Sequence, residues 1–275
     1  MKIFKHLSKA IFVLFILLFS SSISLYSINY WTGKTFSHSC VDANKLKKGV
    51  IRVKKIDETW KSFNLVELPK AFMDWNIKHR LKMLEGLKKK KRPSLEGPHS
   101  GIVATHGTRR KDSNFDLNNA IKGIGFLPRP EKIKEIIKKL KTTSKLSMTE
   151  KLDILIGFYK NYNTIFDLTK QISLELYSTP QFETQTFLNQ MAYPESVIVF
   201  MGIPTFKLKC VAYLLHPENP ELTDYEKNVV EYINLIHCYF HGHFKKTFIA
   251  VIYNIIEVYD SSPGKKSGRG TLLVP

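Results

Sequence analysis

The chain has 275 residues, 43% of them hydrophobic, and its formal net charge is +18. This length and composition suit one large domain, or one medium domain with a helical appendage, around a packed core, and they make a wholly disordered chain unexpected. The three cysteines, Cys40, Cys210 and Cys238, are too few for a disulfide scaffold. In an exported protein they would allow one disulfide and leave one thiol over. Cys210 lies in an alternating apolar segment and is expected to be buried.

The first 28 residues have the pattern of an export signal. A basic start with Lys2, Lys5 and Lys9 precedes the apolar run AIFVLFILLF, and small serines follow it. The apolar stretch can also be extended to Ile28, which is close to the length that spans a membrane. The pattern therefore predicts either a cleaved signal peptide or a retained transmembrane anchor. On both interpretations the rest of the protein lies outside the cytoplasm, secreted or periplasmic after cleavage.

The remainder of the chain is strongly basic. Removing the three lysines of residues 1–27, a segment without acidic residues, leaves 39 basic against 24 acidic side chains, a net charge of +15. Because an exported domain does not meet nucleic acid, we expect no nucleic-acid partner, and an anionic membrane surface is the better candidate. The densest basic run is KKKKR, Lys88–Arg92. It is either a solvated helix end or a contact for anionic headgroups.

Residues 29–96 are predicted to form a basic stalk followed by a helix. The stalk, residues 29–48, is polar and precedes two short β-branched segments at 49–56 and 63–68. Pro69 suits the first turn of a helix over residues 69–93. The apolar stripe of this helix has spacings of four, four and three and consists of Met73, Ile77, Leu81 and Leu84.

The next segment combines a short strand, a basic loop and two helices. IVAT predicts a strand at residues 102–105, and TRRKDSNFDLNN reads as a loop. Apolar stripes over residues 130–162 predict a helical hairpin, and Ser147 with Glu150 forms a capping box for its second helix.

From residue 172 onwards the order is strand, short helix, strand, strand, helix, strand. The short helix is predicted over residues 181–191, with Thr179 as its cap, and Thr223 with Glu226 forms a second capping box. Consecutive strands with helices between them indicate an α+β domain around an antiparallel sheet or barrel. Residues 263–275 are predicted to be a flexible basic tail.

Three segments of this half resemble a known family in their order and pattern: NQMAYPESVIVF, FKLKCVAYLLHPENPELTDYEKNVVEYI and FIAVIYNIIEVYDSSPG. They are similar to the pyridoxamine 5'-phosphate oxidase-like family of FMN-binding split barrels, and SGIVATHG resembles the opening strand of that family. The resemblance implies an antiparallel split β-barrel over residues 97–262, with flanking helices and a helical insertion at 128–163. It further implies an FMN cofactor, a flavin-dependent oxidoreductase role and a possible homodimer.

The resemblance also implies a place for the FMN phosphate, just before Asn189. The family has a basic residue at the position where this chain has Thr186, so Thr184, Gln185 and Thr186 would supply hydrogen bonds instead, together with helix amides. A phosphate prefers cationic partners. Here these would come from elsewhere in the chain, and the candidates are Arg109, Arg110, Lys207 and Lys209.

The segment INLIHCYFHGHF raises a second possibility. His237 and His241 are four residues apart, the spacing that places two imidazoles on one helix face for a metal or a haem. His243, Glu257 or Asp260 would have to complete a metal site, and His106 is a further candidate in a haem binder. The alternative is a helix end, because Gly242 is placed to stop the helix and histidines interact well with a helix C-terminus. A cofactor-free, envelope-associated structural protein is the third hypothesis.

Overall fold

The computed structural model describes residues 29–94, 96–108, 110–264 and 270–274. The predicted signal or anchor, residues 1–28, and the candidate phosphate ligand Arg109 lie outside the described residues. Within the described ranges, no helix is both long and apolar enough to cross a membrane.

The strands form two antiparallel sheets. Their bounds are β1 Val41–Asp42, β2 Val50–Lys54, β3 Trp60–Asn64, β4 Ser100–His106, β5 Leu117–Gly123, β6 Lys170–Glu175, β7 Glu195–Phe200, β8 Phe206–Leu215, β9 Ile249–Asp260 and β10 Thr271–Val274. The smaller sheet has the order β1-β2-β3, and the larger has the order β10-β9-β8-β7-β4-β5 with β6 paired to β9. Mixed α and β structure around antiparallel sheets is the predicted class.

The large sheet curves back on itself without closing into a barrel in the part of the chain that the structure describes. The long strand β9 pairs with β8 along one edge, and its other edge is shared by β6 and β10. The two ends of the sheet meet at one point, just beyond β5, where Gly125 and Ile172 exchange backbone hydrogen bonds of 2.8 and 3.0 Å. A continuous strand ladder does not join β5 to β6 there.

The described residues form six α-helices: α1 Lys70–Lys88, α2 Ile133–Thr142, α3 Met148–Lys160, α4 Tyr162–Ile165, α5 Gln185–Ala192 and α6 Asp224–His241. Both predicted capping boxes are present, at the starts of α3 and α6, and Pro69 directly precedes α1. Gly242, with φ of 88°, follows the last residue of α6. One buried apolar cluster joins side chains of α1, α2, α3 and α6 to side chains of β6 and β9.

Two terminal segments differ from their predictions. The polar stalk is in fact packed: Trp31 stacks on Phe187, and Phe36 meets Phe187 and His216 edge-on. Two isolated aromatic residues have no periodicity, which is why the sequence pattern does not reveal them. In the predicted tail, residues 271–274 form β10 on the edge of β9.

The start of α5 and the loop after β4 also differ. Thr179 does not cap α5, because its hydroxyl accepts from the Gln181 and Phe182 amides within a separate turn. Thr184 caps the helix instead and accepts from the Phe187 amide. The predicted loop, residues 108–119, runs into β5, an edge strand whose large apolar residues Leu117 and Ile121 are exposed, so no buried apolar face marks it in the sequence.

Candidate functional site

A cavity of about 500 Å³ opens between the β5 and β6 ends of the large sheet and the helices α1, α3 and α6. We call it the apolar pocket, because aliphatic and aromatic side chains make up most of its wall. Its wall includes Arg80, Leu84, Ile124, Ile172, Ile233 and Phe240. Its volume lies within the range of roughly 300–1,000 Å³ that is usual for small-molecule sites.

The pocket has a buried floor and an exposed mouth. Leu84, Ile172 and Ile233 on the floor are buried. At the mouth, Ile121 and Tyr177 are 59% and 66% exposed. These two side chains give the entrance of the cavity an exposed apolar rim.

Arg80 lies on the floor and is only 3% exposed. Its Nε donates to Asn76 Oδ1 at 2.7 Å, and its Nη2 donates to the carbonyls of Pro98 and Ile124, each also at 2.7 Å. Its Nη1 makes one long bond of 3.4 Å to the Tyr159 hydroxyl. These bonds tie α1 to the segments before β4 and after β5.

The guanidinium of Arg80 also lies over two aromatic rings, 5.2 Å from the Phe126 centroid and 5.4 Å from that of Tyr159. None of the ion pairs found among the described residues includes Arg80. The second cation of the pocket, Lys122, is by contrast neutralised by the buried carboxylate of Glu175 at 2.8 Å. Arg80 is therefore a buried charge without a counter-charge from the described chain.

His237 and His241 line the pocket near its mouth, with their ring centroids 4.8 Å apart. Burial, and then the proximity of His241, lower the pKa of His237 below its ordinary value. On the other side, burial and then the charge of Arg80 lower the pKa of His99. The pocket thus favours neutral imidazoles at both positions.

The predicted metal site is not completed by a third ligand. In the ranges that the structure describes, no group of three or more His, Cys, Asp or Glu side chains is arranged to hold a metal. Glu257, a candidate third ligand, pairs with Lys209 at 2.7 Å and accepts from the Tyr259 hydroxyl. The other two candidate third ligands, His243 and Asp260, also form no such group with His237 and His241 among the described residues.

The residues that the resemblance assigns to the FMN phosphate lie together, away from the apolar pocket. Asn189 is fully buried and joins α5 to the loop after β4: its Nδ2 donates to Thr105 Oγ1 and to the Asp116 carbonyl, both at 3.1 Å. Its Oδ1 accepts from the Thr108 amide at 2.9 Å and from Gln185 Nε2 at 2.8 Å. All four hydrogen-bonding positions of the amide are therefore filled by protein.

The neighbours of Asn189 are similarly engaged. Gln185 Nε2 donates to the Thr108 carbonyl and its Oε1 accepts from the Arg110 amide, while Thr186 Oγ1 accepts from Asn118. Arg110 pairs with Asp112 at 2.6 Å and donates to the Glu183 carbonyl. The observed polar network fastens α5 to the loop of residues 105–118.

Lys207 and Lys209 lie on the outward face of β8, where both ammonium groups lie over the Tyr259 ring. A second cavity of about 270 Å³ includes Lys209 and His106, and the His106 ring stacks on Tyr193. The structure therefore separates the predicted ligands into three places: the α5 network, the outer face of β8, and the apolar pocket with His237 and His241. His106 and the α6 histidines line different cavities.

Sequence reasoning missed Arg80, although a signal for it exists. Arg80 follows Ile77 by three residues and precedes Leu84 by four, so it occupies a position on the apolar stripe of α1. A cation at such a position is either a snorkelling side chain or a buried functional charge. The stripe alone does not distinguish the two.

The comparisons with known proteins are sparse. No protein-family model matches the chain, and no curated protein matches it. Among solved structures, it is similar to a Listeria innocua protein described as a pyridoxamine 5'-phosphate oxidase, with a TM-score of 0.30 and 11% sequence identity. The alignment covers 66% of this chain and 94% of that one. At this level of similarity, nothing about ligand or activity follows for this chain.

Proposed function

We propose that this protein binds a cofactor-sized molecule with a broad apolar body in the apolar pocket, that the cofactor is FMN, and that its role is redox. The observation that carries the proposal is the pocket itself: about 500 Å³ of space walled by aliphatic and aromatic side chains. A flavin ring system needs such a wall together with a few polar groups that fix its orientation. Arg80, Lys122 and the pocket histidines are the polar groups available.

In this proposal the flavin supplies the electron-transfer chemistry, and the protein binds and orients it and limits its contact with water. Tyr177 and Ile121 at the mouth would cover one face of the ring system. The curved sheet would then be a split barrel, since the bonds between Gly125 and Ile172 bring its two ends together. Export remains part of the proposal through the signal-like pattern of residues 1–28.

Haem is the second candidate, favoured by the position of His237 and His241 on the pocket wall. Coordination of iron requires a neutral imidazole, and the lowered pKa of His237 favours that form. Aliphatic walls and a cationic group for propionates suit haem as well as they suit FMN. The two candidates are separated by which cofactor the pocket takes up.

The test is a titration of the purified full-length chain with FMN and, separately, with haemin. Saturable quenching of flavin fluorescence supports FMN, whereas a Soret band that is lost in His237→Ala supports haem.

Gly123→Trp is the blocking variant, because Gly123 lines the pocket and a Cβ there meets no atom within 4 Å. Gly157→Trp is the matched control, since Gly157 has the same free space and does not line the pocket. Absence of saturable binding of both cofactors, or binding that Gly123→Trp leaves intact, would overturn the proposal.

A further inference from the structure

We propose that Arg80 is the counter-charge for an anionic group on the ligand, so that the apolar pocket selects amphipathic organic anions and takes them anionic end first. The anionic group is a carboxylate, a sulfonate or a phosphate. The inference rests on the proposed function in one respect only, that the apolar pocket is a ligand site. It adds the chemical class of the ligand and its orientation.

Arg80 lacks a counter-charge among the described residues. A guanidinium that is 3% exposed is rarely left without an anion, because burying a charge is costly unless it is paired. Arg80 has five N–H groups. Two carbonyls, the Asn76 amide oxygen and a distant hydroxyl accept from four of them, and all four acceptors are neutral. No acceptor among the described residues takes the fifth, on Nη1.

A purely structural clamp explains only part of this arrangement. The Nε and Nη2 bonds and the two aromatic faces hold α1 in place, and they account for three of the five N–H groups. They do not account for Nη1, whose one bond is 3.4 Å long. Arg80 lines the pocket, and a ligand oxygen there would accept a hydrogen bond from Nη1.

The side chains of the pocket wall do not balance the charge of Arg80. Lys122 is neutralised by Glu175, and the other titratable groups on the wall are histidines and tyrosines. The described wall contains no carboxylate, so Arg80 gives the pocket a net positive charge. An anionic ligand would balance this charge beside a buried guanidinium in a largely apolar wall, where ion pairing is stronger than in bulk water.

The position of Arg80 in the pocket would also orient the ligand. Arg80 lies among the buried residues of the floor, and the apolar side chains Ile121 and Tyr177 are exposed at the mouth. A ligand with its anion at Arg80 would therefore direct its apolar body outward along the aliphatic wall. The guanidinium is already fixed by three bonds of 2.7 Å, so little side-chain entropy is lost when the anion binds.

The experiment uses two fluorescent probes that differ by one anionic group, a sulfonate. 8-Anilinonaphthalene-1-sulfonate carries a sulfonate, N-phenyl-1-naphthylamine has the same aromatic body without it, and both brighten in apolar surroundings. We expect the full-length chain to bind the sulfonate at least about tenfold more tightly at moderate salt. Gly123→Trp should abolish this binding. Equal affinity for the two probes, or failure of both to bind, overturns the inference.

The variant Asn76→Asp tests Arg80 without removing it. Asn76 Oδ1 already accepts from Arg80 Nε, and Asn76 Nδ2 is buried with no partner among the described atoms. An aspartate of the same shape would supply an internal counter-charge and remove that unpaired donor. We expect sulfonate affinity to fall about tenfold while the affinity for the neutral probe is unchanged.

Asn114→Asp is the control, because it makes the same charge change at an exposed loop residue outside the pocket wall. If the ratio of the two affinities is the same in Asn76→Asp as in Asn114→Asp, Arg80 is not the anion partner. The outcome is separable from that of the proposed function. A sulfonate preference that responds to Asn76→Asp, in a protein that takes up neither FMN nor haemin, retains the inference and rejects the cofactor.

Discussion

The rings of His237 and His241 lie 4.8 Å apart on one face of α6, and both side chains line the apolar pocket. His237 also stacks on Phe244 at 4.9 Å. The spacing that suggests a metal site in the sequence therefore produces a histidine pair against an aromatic wall. Two imidazoles this close to each other resist simultaneous protonation.

His241→Gln should raise the pKa of His237, because it removes the charge of a neighbouring imidazolium. The rise should be partial, since burial is the larger cause of the lowered pKa and persists in the variant. Histidine proton resonances followed by NMR as a function of pH would measure it. His243→Gln, at an exposed position, is the control and should leave His237 unchanged. An unchanged or lower pKa in His241→Gln would show that the charge of His241 does not lower the pKa of His237.

His38 should make the protein sensitive to acid. It is buried, its Nδ1 accepts from the Leu214 amide at 3.0 Å, and its Nε2 is 2.9 Å from the Gln190 carbonyl. Accepting at Nδ1 requires the neutral tautomer with its proton on Nε2. Protonation would place a second donor against the Leu214 amide. Burial accordingly lowers the pKa of His38 from 6.5 to about 4 in the folded state, although the bond to Gln190 opposes this.

The unfolded chain binds this proton more readily than the folded protein does. The contribution of His38 to the free energy of unfolding is therefore fully present above pH 6.5 and declines as the pH falls from 6.5 to about 4. The loss should approach about 3 kcal/mol and then level off. Urea denaturation at a series of pH values would measure it. His38→Gln should have a much flatter profile over this range, and His243→Gln should retain the wild-type slope. A wild-type slope in His38→Gln would assign the acid sensitivity to other groups.

The sequence predicts elements well where local signals and burial agree. The two capping boxes, the stop at Gly242 and the apolar stripe of α1 are local, and each lies where the pattern places it. β5 and β10 are missed because edge strands have little apolar alternation and depend on their partners. The packing of Trp31 on Phe187 joins residues far apart in the chain, and no local pattern reports it.

In the candidate site, too, features set by local sequence are predictable and features set by tertiary contacts are not. His237 and His241 are predictable because both lie on one helix. The pocket that they line is assembled from α1, α3, α6 and three strands, so it exists only in the folded chain. Arg80 is visible in the sequence as a cation on an apolar stripe, but its lack of a carboxylate partner is a tertiary fact.

Asn189→Ala should destabilise the protein strongly. The change removes four hydrogen bonds and leaves the Thr108 amide and one N–H of Gln185 Nε2 without their acceptor. The expected loss is on the order of 3 kcal/mol, because unsatisfied buried donors cost more than the bonds contribute. Urea midpoints would measure it, with Asn114→Ala at an exposed loop position as the control. A stable Asn189→Ala that binds FMN more weakly than the wild type would instead assign the phosphate to α5.

Gly107→Ala should also destabilise the fold, for a steric reason. Gly107 has φ of 122°, and a Cβ at this position would overlap the Tyr193 ring, which itself stacks on His106. Both the backbone conformation and the lack of space therefore require glycine, and the expected loss is on the order of 3 kcal/mol. Gly123→Ala is the control, since its added Cβ meets no atom within 4 Å and the change should stay within about 0.5 kcal/mol. The double variant Gly107→Ala with Tyr193→Ala should recover part of the loss relative to the sum of the single changes, because the overlap is removed. Strict additivity in that cycle would mean that backbone strain alone, without the Tyr193 contact, determines the need for glycine.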